Sequence, residues 1–209
     1  MPSLAHVPPG RAGRLWLRRR LGTAERGRDQ LERKLRVLAP ELERRRLHRD
    51  QRHRQWAADC RDAQVWVLRA GLLGGQDALD RAAPARPVEV RLRWSTTVGV
   101  TYPVEAELVD LAPDATLGRT VGNAAVEPAA AAFRRALLAG VEAAAADEAL
   151  RRVEEEARTT RRRLRALEQR WLPWLQDRLT TVESALEQAE QEDAARLRHA
   201  VGTDRGAGP

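Results

Sequence analysis

Four histidines, one cysteine and a run of arginines are the side chains of this chain best suited to chemistry. His48 and His53 stand five residues apart, which misses the i, i+4 spacing that sets two imidazoles on one helical face. His6 and His199 are remote in sequence, so no metal site is expected. Cys60 has no partner for a disulfide, and its place between Trp56 and Ala63 on a candidate apolar stripe assigns it to packing; neighbouring Arg61 is the one feature that would favour a thiolate. The glycine-containing stretches GLLGGQD and TLGRTVG lack the lysine of a phosphate-binding loop and the strand context of a dinucleotide fingerprint. Glu154, Glu155 and Glu156 lie among Arg151, Arg152, Arg158 and Arg161, the pattern of ion pairing on an exposed helical face. Neither a catalytic residue nor a cofactor is expected.

The run Arg44, Arg45, Arg46, Arg49, Arg52 and Arg54 carries a different possibility, because clustered guanidinium groups bind phosphates. The chain has a formal net charge of +7 and a pI near 11.0, with Lys34 its only lysine. Acidic partners of several kinds fit that balance: nucleic acid, anionic lipid or an acidic protein surface. Interleaved glutamates upstream and the shortage of aromatic stacking residues weaken the nucleic-acid reading. Trp171 and Trp174, three apart, are expected at a seam or subunit interface.

The elements that must carry these residues are long helices. Of 209 residues only 4% are aromatic and 32% are charged, a composition for a narrow linear core rather than a thick one. Residues 1–12 read as a flexible Pro/Gly leader and 13–75 as one long helix, with Leu17, Leu21, Ala24, Arg28, Leu31, Leu35, Leu38 and Leu42 stepping by four and three along a coiled-coil seam. The same register continues through Arg45, Arg49 and Arg52 to Trp56, Cys60, Ala63, Val67 and Ala70. Pro40 is expected to kink this helix and Gly71, Gly74 and Gly75 to end it.

Residues 76–126 read as loop and β-hairpin, with strands at about 88–95 and 97–106. Val88, Val90, Leu92 and Trp94 would share one face, Val98, Val100, Tyr102 and Val104 another, with Ser95 to Thr97 between the strands. An isolated hairpin is marginal, so it must rest on helix ends or a neighbouring subunit. A second long helix is expected over 127–201, its stripe Leu150, Val153, Ala157, Thr160, Leu164, Leu167 and Trp171 resuming after Pro173 at Leu175, Leu179, Val182 and Leu186. One extra residue at that junction breaks the heptad. Residues 202–209 read as a disordered tail. Two heptad helices flanking a small insert imply a mainly α fold, a long antiparallel two-helix coiled coil with both chain ends together and the β-hairpin insert at the far end. The single cysteine fits a reducing, intracellular compartment. No stretch reads as a signal peptide or approaches the roughly 20 apolar residues of a membrane span.

The ends of the chain carry a resemblance. Ala24, Gly27, Leu31, Lys34 and Leu38 match an AxxGxxLLKxKRDxL pattern, and Arg162, Arg163, Ala166, Leu167, Glu168, Pro173, Leu175, Leu186, Glu190, Arg196 and Leu197 match a TxRRVNALExxxIPxL pattern and its continuation. Gly99 and Pro103 fit a VMGVxVP strand. Together these resemble the D-subunit family of V/A-type rotary ATPases, with departures at Gln30 to Glu32, at Leu164 and Arg165, and at Gln191. The resemblance implies a non-catalytic rotor shaft of the central stalk on the cytoplasmic face of the cell membrane, coupling ATP synthesis or hydrolysis to ion translocation. Its paired ends would enter the hexamer of catalytic A and B subunits, and its hairpin end would meet the small central-stalk F subunit and the ring-capping C subunit. Arg11, Arg14, Arg18, Arg196 and Arg198 are then expected at the hexamer-facing tip. The rival readings are a free-standing coiled-coil adaptor and an arginine-rich nucleic-acid-binding protein.

Overall fold

The structure, a computed structural model, describes residues 7–82, 87–109 and 123–205, with side chains placed outside 81–82 and 200–205. Much of the expected loop between the hairpin and the second long helix, and the last four residues, lie outside the described residues. Helix α1 spans Gly10–Ala82, strand β1 Glu89–Thr97, strand β2 Val100–Val109, helix α2 Val126–Ala166 and helix α3 Leu172–Arg205, with the π-turn Leu167–Trp171 joining the last two. Ala, Leu, Arg, Glu and Gln, all strong helix formers, fill these helices. The fold is thus mainly α with one antiparallel hairpin, as the periodicities indicate.

The chain divides into two compact units, Met1–Leu35 with Thr159–Pro209 and Arg36–Arg158. In the first, the start of α1 runs antiparallel to α3. Leu17, Ala24, Leu172 and Leu175 form its buried centre, flanked by Trp16, Leu21, Leu167, Trp171, Trp174, Leu179 and Val182. The heptad break falls here, and the backbone absorbs it: the Leu172 N–H reaches back to the Leu167 carbonyl, closing a π-turn that takes up one residue. Leu167 and Leu175, eight residues apart, therefore share one seam.

In the second unit, α1 packs against α2 along small residues. Ala63 meets Ala132 and Ala136, while Ala70 and Ala78 meet Ala125, Val126 and Ala129. Larger apolar side chains gather where the hairpin joins, around Leu38, Leu42, Val100, Tyr102, Leu150 and Val153.

Several boundaries differ from expectation. Helix α1 begins at Gly10, whose φ is 67°, and Gly13 lies inside the first turn, where a Cβ would collide with the Pro8 carbonyl. Pro40 leaves helical φ/ψ intact, because it and Arg36, whose carbonyl loses a donor, both sit on the exposed side. The long helix does break at Gly75 (φ 67°, ψ −177°), a conformation open to glycine, but a further helical segment continues to Ala82. Helix α3 runs to Arg205, into the segment expected to be a tail.

The hairpin turn is Val98-Gly99, both at positive φ (50° and 79°), the type I′ geometry whose twist matches the strands. Val98 is accordingly a turn residue and Ser95 to Thr97 belong to β1. An irregularity between Arg93 and Trp94 leaves Val104 as an extra residue on β2 beside Pro103, which has no N–H to offer a ladder. Val100, Tyr102, Pro103 and Ala106 are buried, whereas Val90, Leu92 and Trp94 on β1 stay about two-fifths exposed. The hairpin rests on the flanks of α1 and α2 rather than on helix termini.

Candidate functional site

The residues that fasten the hairpin form the most organised polar cluster. Glu41, buried on α1, accepts hydrogen bonds from Arg45 Nε at 2.7 Å and from the Tyr102 hydroxyl at 2.9 Å, and Arg44 pairs with its other oxygen at 2.8 Å. The Tyr102 oxygen lies 3.2 Å from Arg45 Nη2, which donates to it, and 2.8 Å from Thr97 Oγ1, while the Arg45 guanidinium covers the tyrosine ring at 4.4 Å. Burial alone would raise the Glu41 carboxyl, but the hydrogen bonds from Arg45 and Tyr102 and the charges of Arg45 and Arg44 outweigh it and hold it below the usual carboxylate range.

A second clamp comes from α2. Arg152 donates to the Thr101 carbonyl at 3.0 Å and to Glu148 at 2.6 Å, and its guanidinium lies 4.8 Å from the centre of the Trp94 ring. Hydrogen bonds from Arg151 and Arg152 bring the Glu148 carboxyl down to about 2. Sequence reasoning missed these clamps; the signals were the chain's single tyrosine and the Glu41–Arg45 pair at i, i+4 spacing. Glu41 and Glu148 are each held by two arginines, which suits positioning rather than proton transfer.

Beside the hairpin runs an open groove of about 700 Å3 lined by His48, Arg52, Val104, Glu107, Arg134 and Glu142, among others. Burial, then the charges of Arg52 and Arg45, lower the His48 imidazole pKa, with Glu142 opposing. His53 lies elsewhere, 2.9 Å from Asp147. Cys60 is half-buried beside Ala63 and Ala132. Among the described residues no three His, Cys, Asp or Glu side chains converge as a metal site, and no helix is long and apolar enough to cross a membrane.

The arginine run is largely neutralised within the chain. Arg44 and Arg45 pair with Glu41, Arg46 with Glu43 and Glu154, Arg49 with Asp50 and Arg52 with Glu142. Arg54 is exposed and joins no such pair, and the carboxylates beside the other five weaken the phosphate-binding reading.

The expected tip residues all fall in the first unit. Arg11 donates to Glu190 at 3.1 Å and Arg18 to Glu183 at 2.6 Å, across the antiparallel pair. Arg196 lies near Glu192 and Asp193, Arg198 bonds the Ala194 carbonyl, and Arg14 is half-buried. Of the motif positions, Gly27 lies where Leu167 reaches α1, Lys34 is half-buried and Gly99 makes the hairpin turn. Pro103 is buried at the strand irregularity. Arg163 and Ala166 are exposed at the end of α2, Leu167 and Glu168 open the π-turn, and Pro173 follows at the start of α3. The motif TxRR...ALE thus coincides with a backbone irregularity.

Residues 15–201 match the family model for the ATP synthase D subunit. The chain is 30% identical to the D subunit of the V-type ATP synthase of Thermus thermophilus over 208 residues, 95% of this chain and 89% of the relative. It is 26% identical to the V-type ATP synthase D subunit of Thermotoga neapolitana, covering 92% and 95% of the two chains. Against the A-type ATP synthase D subunit of Pyrococcus horikoshii, identity is 28% over 95% and 94%.

Proposed function

The chain belongs to the ATP synthase D-subunit family, and from that premise we propose that it is the central rotor shaft of a V/A-type rotary ATP synthase. As part of such a complex it couples ATP synthesis or hydrolysis in a hexamer of A and B subunits to ion flow through a membrane ring. It meets the small F subunit and the ring-capping C subunit away from the hexamer, works at the cytoplasmic face of the membrane and catalyses nothing itself. The observation that carries this reading is the match across 15–201, in a chain whose two ends pair as antiparallel helices.

The physical basis is differential affinity. An asymmetric shaft makes different contacts with open and closed catalytic sites in each rotational state, and those differences bias which site closes. Heptad packing gives the shaft stiffness. Arg11, Arg14, Arg18, Arg196 and Arg198 are placed by this reading at the end that enters the hexamer, where Arg11 and Arg18 form ion pairs across the two helices.

Co-expression with the A and B subunits, followed by size-exclusion chromatography with mass determination, tests the assignment. One copy per hexamer is expected; elution alone or as a homodimer would transfer support to a coiled-coil adaptor. Charge reversal at the five tip arginines is expected to weaken coupling between hydrolysis and rotation.

A further inference from the structure

The alanine seam of the middle unit does not by itself fix how α1 and α2 align. Buried Ala125, Ala129, Ala132, Ala136 and Ala139 on α2 each have another buried alanine seven positions on, at 132, 136, 139, 143 and 146. A slide of α2 along α1 by one heptad, about 10 Å at 1.5 Å per residue, therefore replaces alanine by alanine over this stretch.

Three features outside the alanines distinguish one alignment. Gly140 is the only glycine of α2, and the Trp56 indole rests on it: a Cβ there would stand 3.0 Å from the indole nitrogen. After a slide of one heptad the indole would face Asp147 in one direction and Phe133 in the other, and neither leaves the notch. The cross-helix pairs Arg52–Glu142 and Arg135–Asp62 discriminate in the same sense. One slide brings Asp62 opposite Glu142 and the other brings Arg52 opposite Arg135, like charges in both cases. These pairs are partly exposed and individually weak. The hairpin is the third feature, because it grips both helices at once. Tyr102 holds Glu41 and Arg45 of α1, whereas Trp94 and the Thr101 carbonyl hold Arg152 of α2. A slide of about 10 Å would part the hairpin from one helix or the other.

We propose that the hairpin and the Trp56–Gly140 contact together form a register lock, a conformational device that holds α1 and α2 in one of several alignments the alanine seam accepts. The lock goes beyond the rotor reading and does not rest on it. Close-packed alanine gives the two helices a smooth track, and the lock keeps them from moving along it.

Cys60, the chain's single cysteine, packs against the cluster of Ala63, Ala132 and Ala136 and serves as the reporter. In the full-length chain at high dilution, mild oxidation is expected to join Cys60 within one molecule to Ala136→Cys. Separate chains carrying Ala129→Cys or Ala143→Cys, which face Cys60 only after a slide of one heptad, should not cross-link. Adding Trp56→Ala, Tyr102→Ala and Arg152→Gln releases the lock, and cross-linking through Ala129→Cys or Ala143→Cys should then rise about tenfold or more while circular dichroism shows the helices intact. If this triple variant does not fold, the pair Trp56→Ala, Arg152→Gln is expected to give a smaller rise of the same kind. Cross-linking through Ala136→Cys alone in helical released variants would show that the large residues Leu38, Leu42, Leu150 and Val153 set the alignment, and would overturn the proposal. Loss of all three cross-links would mean that the helices part rather than slide, which rejects it equally. Cross-linking at the shifted positions without the releasing substitutions would show that no lock exists.

Discussion

The two units solve the same packing problem with different side chains. The unit formed by the chain ends fills its seam with leucine and tryptophan around Leu17 and Leu175, both fully buried. The unit formed by the middle of the chain fills most of its seam with alanine, at positions such as 63, 132, 136, 139 and 143. Alanine lets helix backbones approach closely, since interaxial distance follows the side chains at the contact. Each alanine buries little apolar surface, however, whereas a buried leucine contributes about 1.5–3 kcal/mol. The middle unit compensates with the hairpin and its arginine clamps. A pair of helices can thus be held by bulk along one stretch and by close approach plus a polar latch along another.

The comparison predicts opposite responses to size. Leu175→Ala, which opens a cavity in the large-residue seam, is expected to cost about 2–5 kcal/mol. Hydrogen exchange should then quicken in the chain-end unit and stay slow in the middle one; uniform quickening would show that the units are not separate in stability. Ala143→Leu is the converse, adding bulk where there is no room, and should cost about 1–3 kcal/mol with the exchange pattern reversed. If it stabilises the chain, the alanine seam is underpacked and the distinction fails.

The latch gives a sharper contrast. Tyr102→Phe removes a hydrogen bond to a buried carboxylate and is expected to cost about 1–2 kcal/mol, read from denaturant unfolding. Glu41 has its pKa lowered on folding, so its stabilisation is complete above the ordinary carboxylate value near 4.5 and declines as pH falls below it toward the folded value. Melting temperature should therefore fall on acidification through that window, and more shallowly in Glu41→Gln; equal slopes would remove Glu41 from the latch. Arg11→Gln sits at the other extreme, because its pair with Glu190 is open to solvent on both sides. No measurable change in melting temperature is expected.

Much of this architecture could be read from spacing. Most apolar members of the stripe from Leu17 to Ala70 and of the stripe from Leu150 to Val182 lie on the observed seams, because large apolar residues at three-four spacing have one available use, whereas Trp56 stays two-fifths exposed. The first half of α2 is harder, since alanine is both a seam residue and the commonest surface helix former, and Ala132 does not differ in sequence from Ala144 although only the former is buried. The hairpin is legible from its period of two, but not its turn, because Val98 at positive φ runs against the preference of a β-branched residue. The latch depends on contacts 57 and 61 residues apart in the chain, which no local pattern records. The arginines of the run at 44–54 look alike in sequence, and only the positions of the surrounding carboxylates tell the five that are paired from Arg54, which is not.

The π-turn at Leu167–Trp171 also bears on how such a chain can change its length. A deletion inside a coiled coil ordinarily rotates everything beyond it off the seam and is not tolerated. Here one residue is already surplus to the repeat, so removing exposed Gln169 would bring Leu167 and Leu175 to a full heptad and turn the π-turn into ordinary helix. Of all single-residue losses in the helices, those inside this turn are the ones the seam can absorb. Relatives of this chain that differ from it in length by one residue are expected to have gained or lost that residue here.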